Sequence, residues 1–131
     1  MKSEIFMEGN IPSSKNSKQI YRFTDKLGTL KTVIGNSKTV EKYKEKYLYQ
    51  WKSKKKLFLN FLKNKEKPYK IGFYFIRDSR RKFDYINAAQ LPLDLMQEFK
   101  WIEDDDTTNI IPVFLGYEID KERAGLILSV L

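Results

Sequence analysis

The stretch RRKFDYINAAQLPLDLMQEFKWIEDDD, residues 80–106, opens on three cations, Arg80, Arg81 and Lys82, and closes on four consecutive acids, Glu103 to Asp106. Asn87, Gln90 and Asp94 stand three and four residues apart, which sets them on one face of a helix, with Asp84 one turn earlier on nearly the same line. Adjacent carboxylates repel one another unless a cation, a helix N-terminus or water compensates. Two readings follow. The acids are a solvated helix face and turn, with Asp84 favoured at a helix start by the dipole. Or they hold a hard cation such as Mg²⁺ through oxygen ligands. The chain has no histidine and no cysteine. That removes the usual general base, the commonest zinc ligand, thiolate sites and any disulfide. Metal-assisted phosphodiester hydrolysis needs none of these, because a bound metal can activate water and stabilise the leaving oxygen. The order strand, basic knot, Asp84, helix, acid pair can bring Asp84 to one site with Asp104 or Asp105. Arg77, Arg80, Arg81 and Lys82 would then flank a phosphate.

The distribution of charge supports a polyanionic partner. The 131 residues carry a formal net charge of +8. From Asp84 to the end there are ten acids and three bases, so residues 1–83 hold the remaining 22 bases and 7 acids. Eleven of those bases are lysines within residues 38–67, among them Lys42, Lys46, Lys54, Lys55 and Lys56, interleaved with Tyr and Trp. A basic surface with aromatics suits a phosphate backbone, whose binding releases counterions and does not depend on sequence. The competing reading is a lysine-rich solvated helix face.

The elements that must position these residues are legible as patterns. EIFMEGNI, residues 4–11, alternates as a first strand, followed by a loop over PSSKNSK. QIYRF and LKTVI flank TDKLGT as a hairpin. Ser37 or Thr39 can cap a helix over residues 39–64, whose apolar face is Val40, Tyr43, Tyr47, Trp51, Phe58 and Leu62. YKIGFYFIR, residues 69–77, reads as a strand. Residues 84–99 read as a second helix, with Ala88, Leu91, Leu95 and Phe99 inward and Pro92 bending it. IIPVFLGYEI and GLILSVL close the chain as strands around the loop DKERAG. The expectation is one α+β domain over residues 1–131, a small mixed sheet of about five strands packed with two main helices. The first residues lack the apolar region of a signal peptide, and no apolar run reaches the length of a membrane span. A cytoplasmic protein with no membrane partner is expected.

IPSSKN (residues 11–16), DYINAAQLPLDLM (residues 84–96) and WIEDDDTTNI (residues 101–110), in that order, resemble the motifs of the RusA family of Holliday junction resolvases over nearly the whole chain. The resemblance implies a single RusA-like domain, Mg²⁺ dependence, a homodimer and selectivity for four-way DNA junctions. It implies metal ligation by Asp84, Asp104 and Asp105, with Asp94 a fourth catalytic acid. Phosphate contacts would come from Arg77, Arg80, Arg81 and Lys82, and the junction arms would track Lys15, Lys42, Lys46, Lys54, Lys55 and Lys56. Asn87 matches the family's asparagine. Two positions depart: Ile86 stands in place of the family's second aspartate, and Gln90 in place of its lysine. Three functions are therefore compared. The first is a Mg²⁺-dependent structure-selective endonuclease, the second a RusA-like protein that binds branched DNA without cutting it, and the third an interaction protein docking on an acidic partner.

Overall fold

The computed structural model describes residues 3–13 and 18–131. The chain runs β1 (Glu4–Glu8), β2 (Lys18–Thr24), β3 (Leu30–Asn36), α1 (Lys38–Ser53), α2 (Lys55–Phe61), β4 (Tyr69–Arg77), α3 (Tyr85–Glu98), β5 (Ile110–Ile119) and β6 (Gly125–Val130), with a 3-10 turn at Lys121–Arg123. The α+β class is as expected. The described strands number six, because β2 and β3 pair as a separate antiparallel hairpin outside the main sheet.

The main sheet has the order β1-β6-β4-β5. β6 lies antiparallel to both β1 and β4, whereas β4 and β5 are parallel, from Tyr69 opposite Ile110 to Arg77 opposite Ile119. A parallel pair needs a crossover connection, and α3 provides it. The topology therefore fixes two ends. The segment 78–84 lies at the carboxyl end of β4, and the acidic segment 103–106 lies at its amino end. Two contacts mark the amino end. The Tyr69 amide donates to the Asn109 carbonyl at 2.9 Å, and the Lys67 ammonium meets the Glu103 carboxylate at 3.0 Å.

One face of the sheet carries the core. Ile71, Phe73 and Phe75 of β4 and Leu126 and Leu128 of β6 are buried against the apolar faces of the helices. The stripe expected on residues 39–64 is the buried one, but the single helix is not continuous. It breaks at Lys54, which ends α1 and precedes α2. Two side-chain interactions accompany the break. The Ser53 hydroxyl turns back on the Gln50 carbonyl at 3.4 Å. The Lys54 ammonium leaves the helix surface to donate to the Phe6 carbonyl of β1. Trp51 and Phe58, seven residues apart, stay fully buried on the two sides of the break. The apolar period survives the break.

Ser37 caps α1, its hydroxyl accepting from the Val40 amide at 3.4 Å. α3 runs on through Pro92 without a break, and Pro92 is buried on its inner face. Three residues beyond α3, Trp101 is buried between Trp51 and Phe58, with ring centroids at 5.3 and 4.8 Å. Its indole N–H donates to the Trp51 carbonyl at 2.6 Å, and that of Trp51 to the Tyr43 hydroxyl at 2.9 Å. These bonds satisfy the polar atoms that burying two tryptophans brings inside. Burial pushes the Tyr43 phenol up to about 12, so it stays protonated in its role as acceptor.

Among the described residues no helix is long and apolar enough to cross a membrane.

Candidate nucleic-acid interface

At the carboxyl end of β4 the chain turns through Asp78–Phe83 before α3 begins, and an aromatic cluster holds this turn on the sheet. Phe83 packs edge-on against Phe75 and Tyr117, with centroids at 5.7 and 5.1 Å, and Tyr85 stacks on Phe114 at 5.3 Å. The Arg77 guanidinium lies 4.4 Å from the Phe83 ring, and its Nη1 donates to the Ile11 carbonyl at 2.6 Å. Partial burial lowers the Arg77 pKa from its ordinary value, but a guanidinium remains charged throughout the physiological range. Asn10 closes the arrangement from the other side, its Oδ1 accepting from the Asp78 amide at 3.0 Å.

These contacts shape a cleft of about 880 Å³. Its walls include Arg77, Arg81 and Lys82, with Asp78, Asp84, Asn87 and the hydroxyl residues Ser13, Thr39 and Ser79. Such a mixture of cations and hydroxyl donors suits a phosphodiester oxygen. A second groove, of about 410 Å³, shares Asn10, Thr39 and Asp78 with the first. It continues past Lys42 and Lys46, beside the rings of Tyr43 and Tyr47, to Lys121. The two form one track from Lys82 to Lys46.

The other expected contacts divide. Arg80 is exposed beside the cleft without lining it. Lys54 is half-buried and donates to the Phe6 carbonyl of β1. Lys55 is half-buried, and Lys56 lines a separate depression of about 510 Å³ with Leu57, Leu59, Asn60 and Lys63. Lys15 lies outside the described residues. Asn10 and Ser79 were not singled out by sequence reasoning, and Thr39 only as a candidate helix cap. Only the fold brings these segments to one cleft, and short polar residues in loops carry no pattern of their own.

Asp84 is the N-cap of α3. Its Oδ1 accepts from the Ile86 amide at 2.8 Å and the Asn87 amide at 3.4 Å. Both bonds fall on one oxygen, at the mouth of the basic cleft. Ile86, in the first turn, is 69% exposed. Gln90 donates from Nε2 to Asp94 Oδ1 at 2.8 Å, ten residues along from Asp84. A helix rises 1.5 Å per residue, so Asp84 and Asp94 are roughly 15 Å apart along the axis.

The acidic run sorts itself by bonding. Asp106 is a turn cap: its Oδ1 accepts from the Thr108 hydroxyl at 2.8 Å, the Thr108 amide at 3.2 Å and the Asn109 side-chain amide at 2.7 Å. Those bonds hold its carboxyl below the ordinary value. Asp104 accepts from the Asp105 amide at 2.8 Å. Desolvation, together with the neighbouring carboxylates of Asp104 and Asp94, raises the Asp105 carboxyl. An acid raised in the folded state stabilises the fold below its ordinary pKa and loses that contribution as pH rises through the folded value. Asp105→Asn is therefore expected to raise the melting temperature at about pH 7 and to change it little at about pH 3, compared by thermal melts at the two pH values.

Asp94, Asp104 and Asp105 thus share one electrostatic neighbourhood, and Asp84 does not belong to it. β4 spans nine residues at about 3.3 Å each, so the ends of the pair are separated by roughly 25 Å. A single copy does not bring Asp84 to Asp104 and Asp105. Among the described residues no three His, Cys, Asp or Glu side chains form a group that could hold a metal. Within one copy the residues present do not make up the Mg²⁺ ligand set that the resemblance implies.

No known protein-family model matches the chain, and no curated protein matches it.

Proposed function

We propose that this protein binds branched DNA through the basic track at the carboxyl end of β4, and that it acts there as a Mg²⁺-dependent, structure-selective endonuclease on four-way junctions. The observation that carries the reading is the cleft around Asp84. It sets Arg77, Arg81 and Lys82 beside a carboxylate and opens into the groove lined by Lys42, Lys46 and Lys121. Arg77, fixed by the Ile11 carbonyl and the Phe83 ring, presents a pre-oriented guanidinium to a phosphate. Arg81 and Lys82 are exposed and supply mobile cations on the same wall. Asp84, anchored through Oδ1 to the first amides of α3, keeps its carboxylate at the mouth of that cleft. No catalytic step is assigned within one copy, because Asp104 and Asp105 lie at the far end of the sheet.

A second reading, junction binding without cleavage, is favoured by two local facts. Where the resemblance expects a second carboxylate, the exposed side chain is that of Ile86. Where it expects a lysine, Gln90 is turned onto Asp94. Both readings require DNA in the same cleft.

The test of that cleft is the salt dependence of junction binding. Removing one cation that neutralises a phosphate lowers the slope of log K against log salt by about 0.9. Arg81→Ala combined with Lys82→Ala is expected to weaken four-way junction binding and to lower the slope by about 2. An unchanged slope would place the DNA elsewhere.

A further inference from the structure

The hairpin of β2 and β3 takes no part in the main sheet. Its strands pair only with each other, from Lys18 opposite Asn36 to Thr24 opposite Leu30. The tip is tightly bonded. Asp25 Oδ1 accepts from the Leu27 and Thr29 amides at 2.9 Å each, and the Asp25 amide donates to the Thr29 carbonyl at 2.9 Å. Gly28 takes the positive φ of 79° that the turn needs. What the turn presents is uncovered: Leu27 is 90% exposed, Leu30 67% and Phe23 49%. Residues directly opposite on a ribbon share a face, so Phe23 stands with Lys31 on one side and Leu30 with Arg22 on the other. Each side of the ribbon therefore carries one apolar and one basic side chain near the tip. A two-stranded ribbon without a second layer gains no core from such side chains, and exposed apolar groups of this kind mark a contact surface.

Charge and position decide what fits there. From Lys18 to Asn36 the chain has four cations and one acid, Asp25. That acid is engaged by the turn amides and lies 3.9 Å from the Lys31 ammonium. Ser13, the last described residue before the hairpin, and Thr39, three residues after it, both line the cleft around Asp84. The acids at this root, Asp78 and Asp84, belong to the cleft. Seven residues in each strand carry the tip roughly 20 Å along the strands from the root. DNA lying in the cleft is within that reach. The tip side chains then choose the mode of contact. Phe23, Leu27 and Leu30 have neither donor nor acceptor, so they cannot read base edges. They can insert against the face of a base pair, with the cations on both sides of the ribbon meeting the flanking phosphates. Within a continuous duplex such insertion costs the unstacking of a step, whereas at a branch point the stack is already interrupted.

We infer that the β2–β3 hairpin is the element that distinguishes a branch point from a duplex. Leu27, with Phe23 and Leu30 behind it, wedges against the base pairs where the arms meet, while the phosphates of one arm occupy the basic track. The inference rests on the proposed function for its ligand. It assigns affinity and selectivity to different parts of the chain: the cations of the cleft hold any DNA, and the apolar tip sets the preference for a junction.

The test compares the wild type with a variant carrying both Phe23→Ser and Leu27→Ser. The probes are a four-way junction with 2-aminopurine beside the branch point and a linear duplex of the same sequence. Binding of the wild type is expected to raise the 2-aminopurine fluorescence of the junction about twofold or more, as that base loses its stacking. In the variant the rise is lost and junction affinity falls about tenfold, while duplex affinity holds within about twofold. Both side chains are exposed, so thermal melts of the variant should match those of the wild type. Leu27→Met, the conservative change, is expected to retain the fluorescence rise. Arg81→Ala combined with Lys82→Ala gives the opposite pattern: it weakens both DNAs alike and leaves the fluorescence of the bound junction unchanged. A folded Phe23→Ser, Leu27→Ser variant that keeps both the rise and the junction preference overturns the wedge and leaves the DNA cleft standing. A wild type that binds neither DNA, or both equally, overturns the proposed function and the wedge with it.

Discussion

Asp84→Asn is expected to abolish junction cleavage while the protein stays folded and bound to DNA. The two roles of Asp84 make this substitution informative. As an N-cap it holds the Ile86 and Asn87 amides through one oxygen. Asparagine caps a helix about as well as aspartate, so the stability change should be within a few tenths of a kcal/mol. What asparagine lacks is the charge at the mouth of the cleft. Under single-turnover conditions with Mg²⁺, the cleavage rate should fall roughly 100-fold or more, equivalent to about 2.7 kcal/mol of transition-state stabilisation. Junction affinity should hold or rise, because a negative charge beside the phosphate has been removed. Asp84→Ala makes the comparison, losing the cap as well at about 1 kcal/mol. If Asp84→Asn cuts at the wild-type rate, Asp84 is a helix cap and nothing more.

Trp101→Ala is expected to be the most damaging single change to the fold, costing about 3–5 kcal/mol. Trp101 is not part of any regular element. It lies just past α3, yet it fills the space between Trp51 and Phe58 on the two sides of the helix break. Its removal leaves a large cavity and an unpaired Trp51 carbonyl, two losses that add. It also frees the chain just ahead of the acidic segment. Denaturant unfolding measures the cost. A loss below about 1 kcal/mol would mean that the helix pair and the α3 exit are not coupled through this ring.

The sequence exposed most of the elements because their apolar periods are strong. β4 and β5 occupy the ranges expected from the sequence, and the buried stripe of residues 39–64 is the one expected. The break at Lys54 was hidden because the stripe keeps its period across it. α3 includes Pro92 as one helix, with the ring buried on the inner face.

The site was legible in its chemistry and not in its geometry. Residue types and order marked the basic knot, Asp84 and the acidic run. The direction of β5 relative to β4 was not in those patterns, and it is that direction which puts the acids at opposite ends of the sheet. Likewise, nothing in EDDD distinguishes Asp106. Its bonds to Thr108 and Asn109 do so, leaving Asp104 and Asp105 as the adjacent pair.

The central claim is that this chain recognises and cuts branched DNA. The most direct measurement is incubation of the wild type with a labelled four-way junction and with linear duplex of the same sequence, in Mg²⁺. Preferential binding of the junction and paired, symmetric nicks near its centre are predicted. Equal affinity for the two DNAs, with neither cut, would contradict the claim.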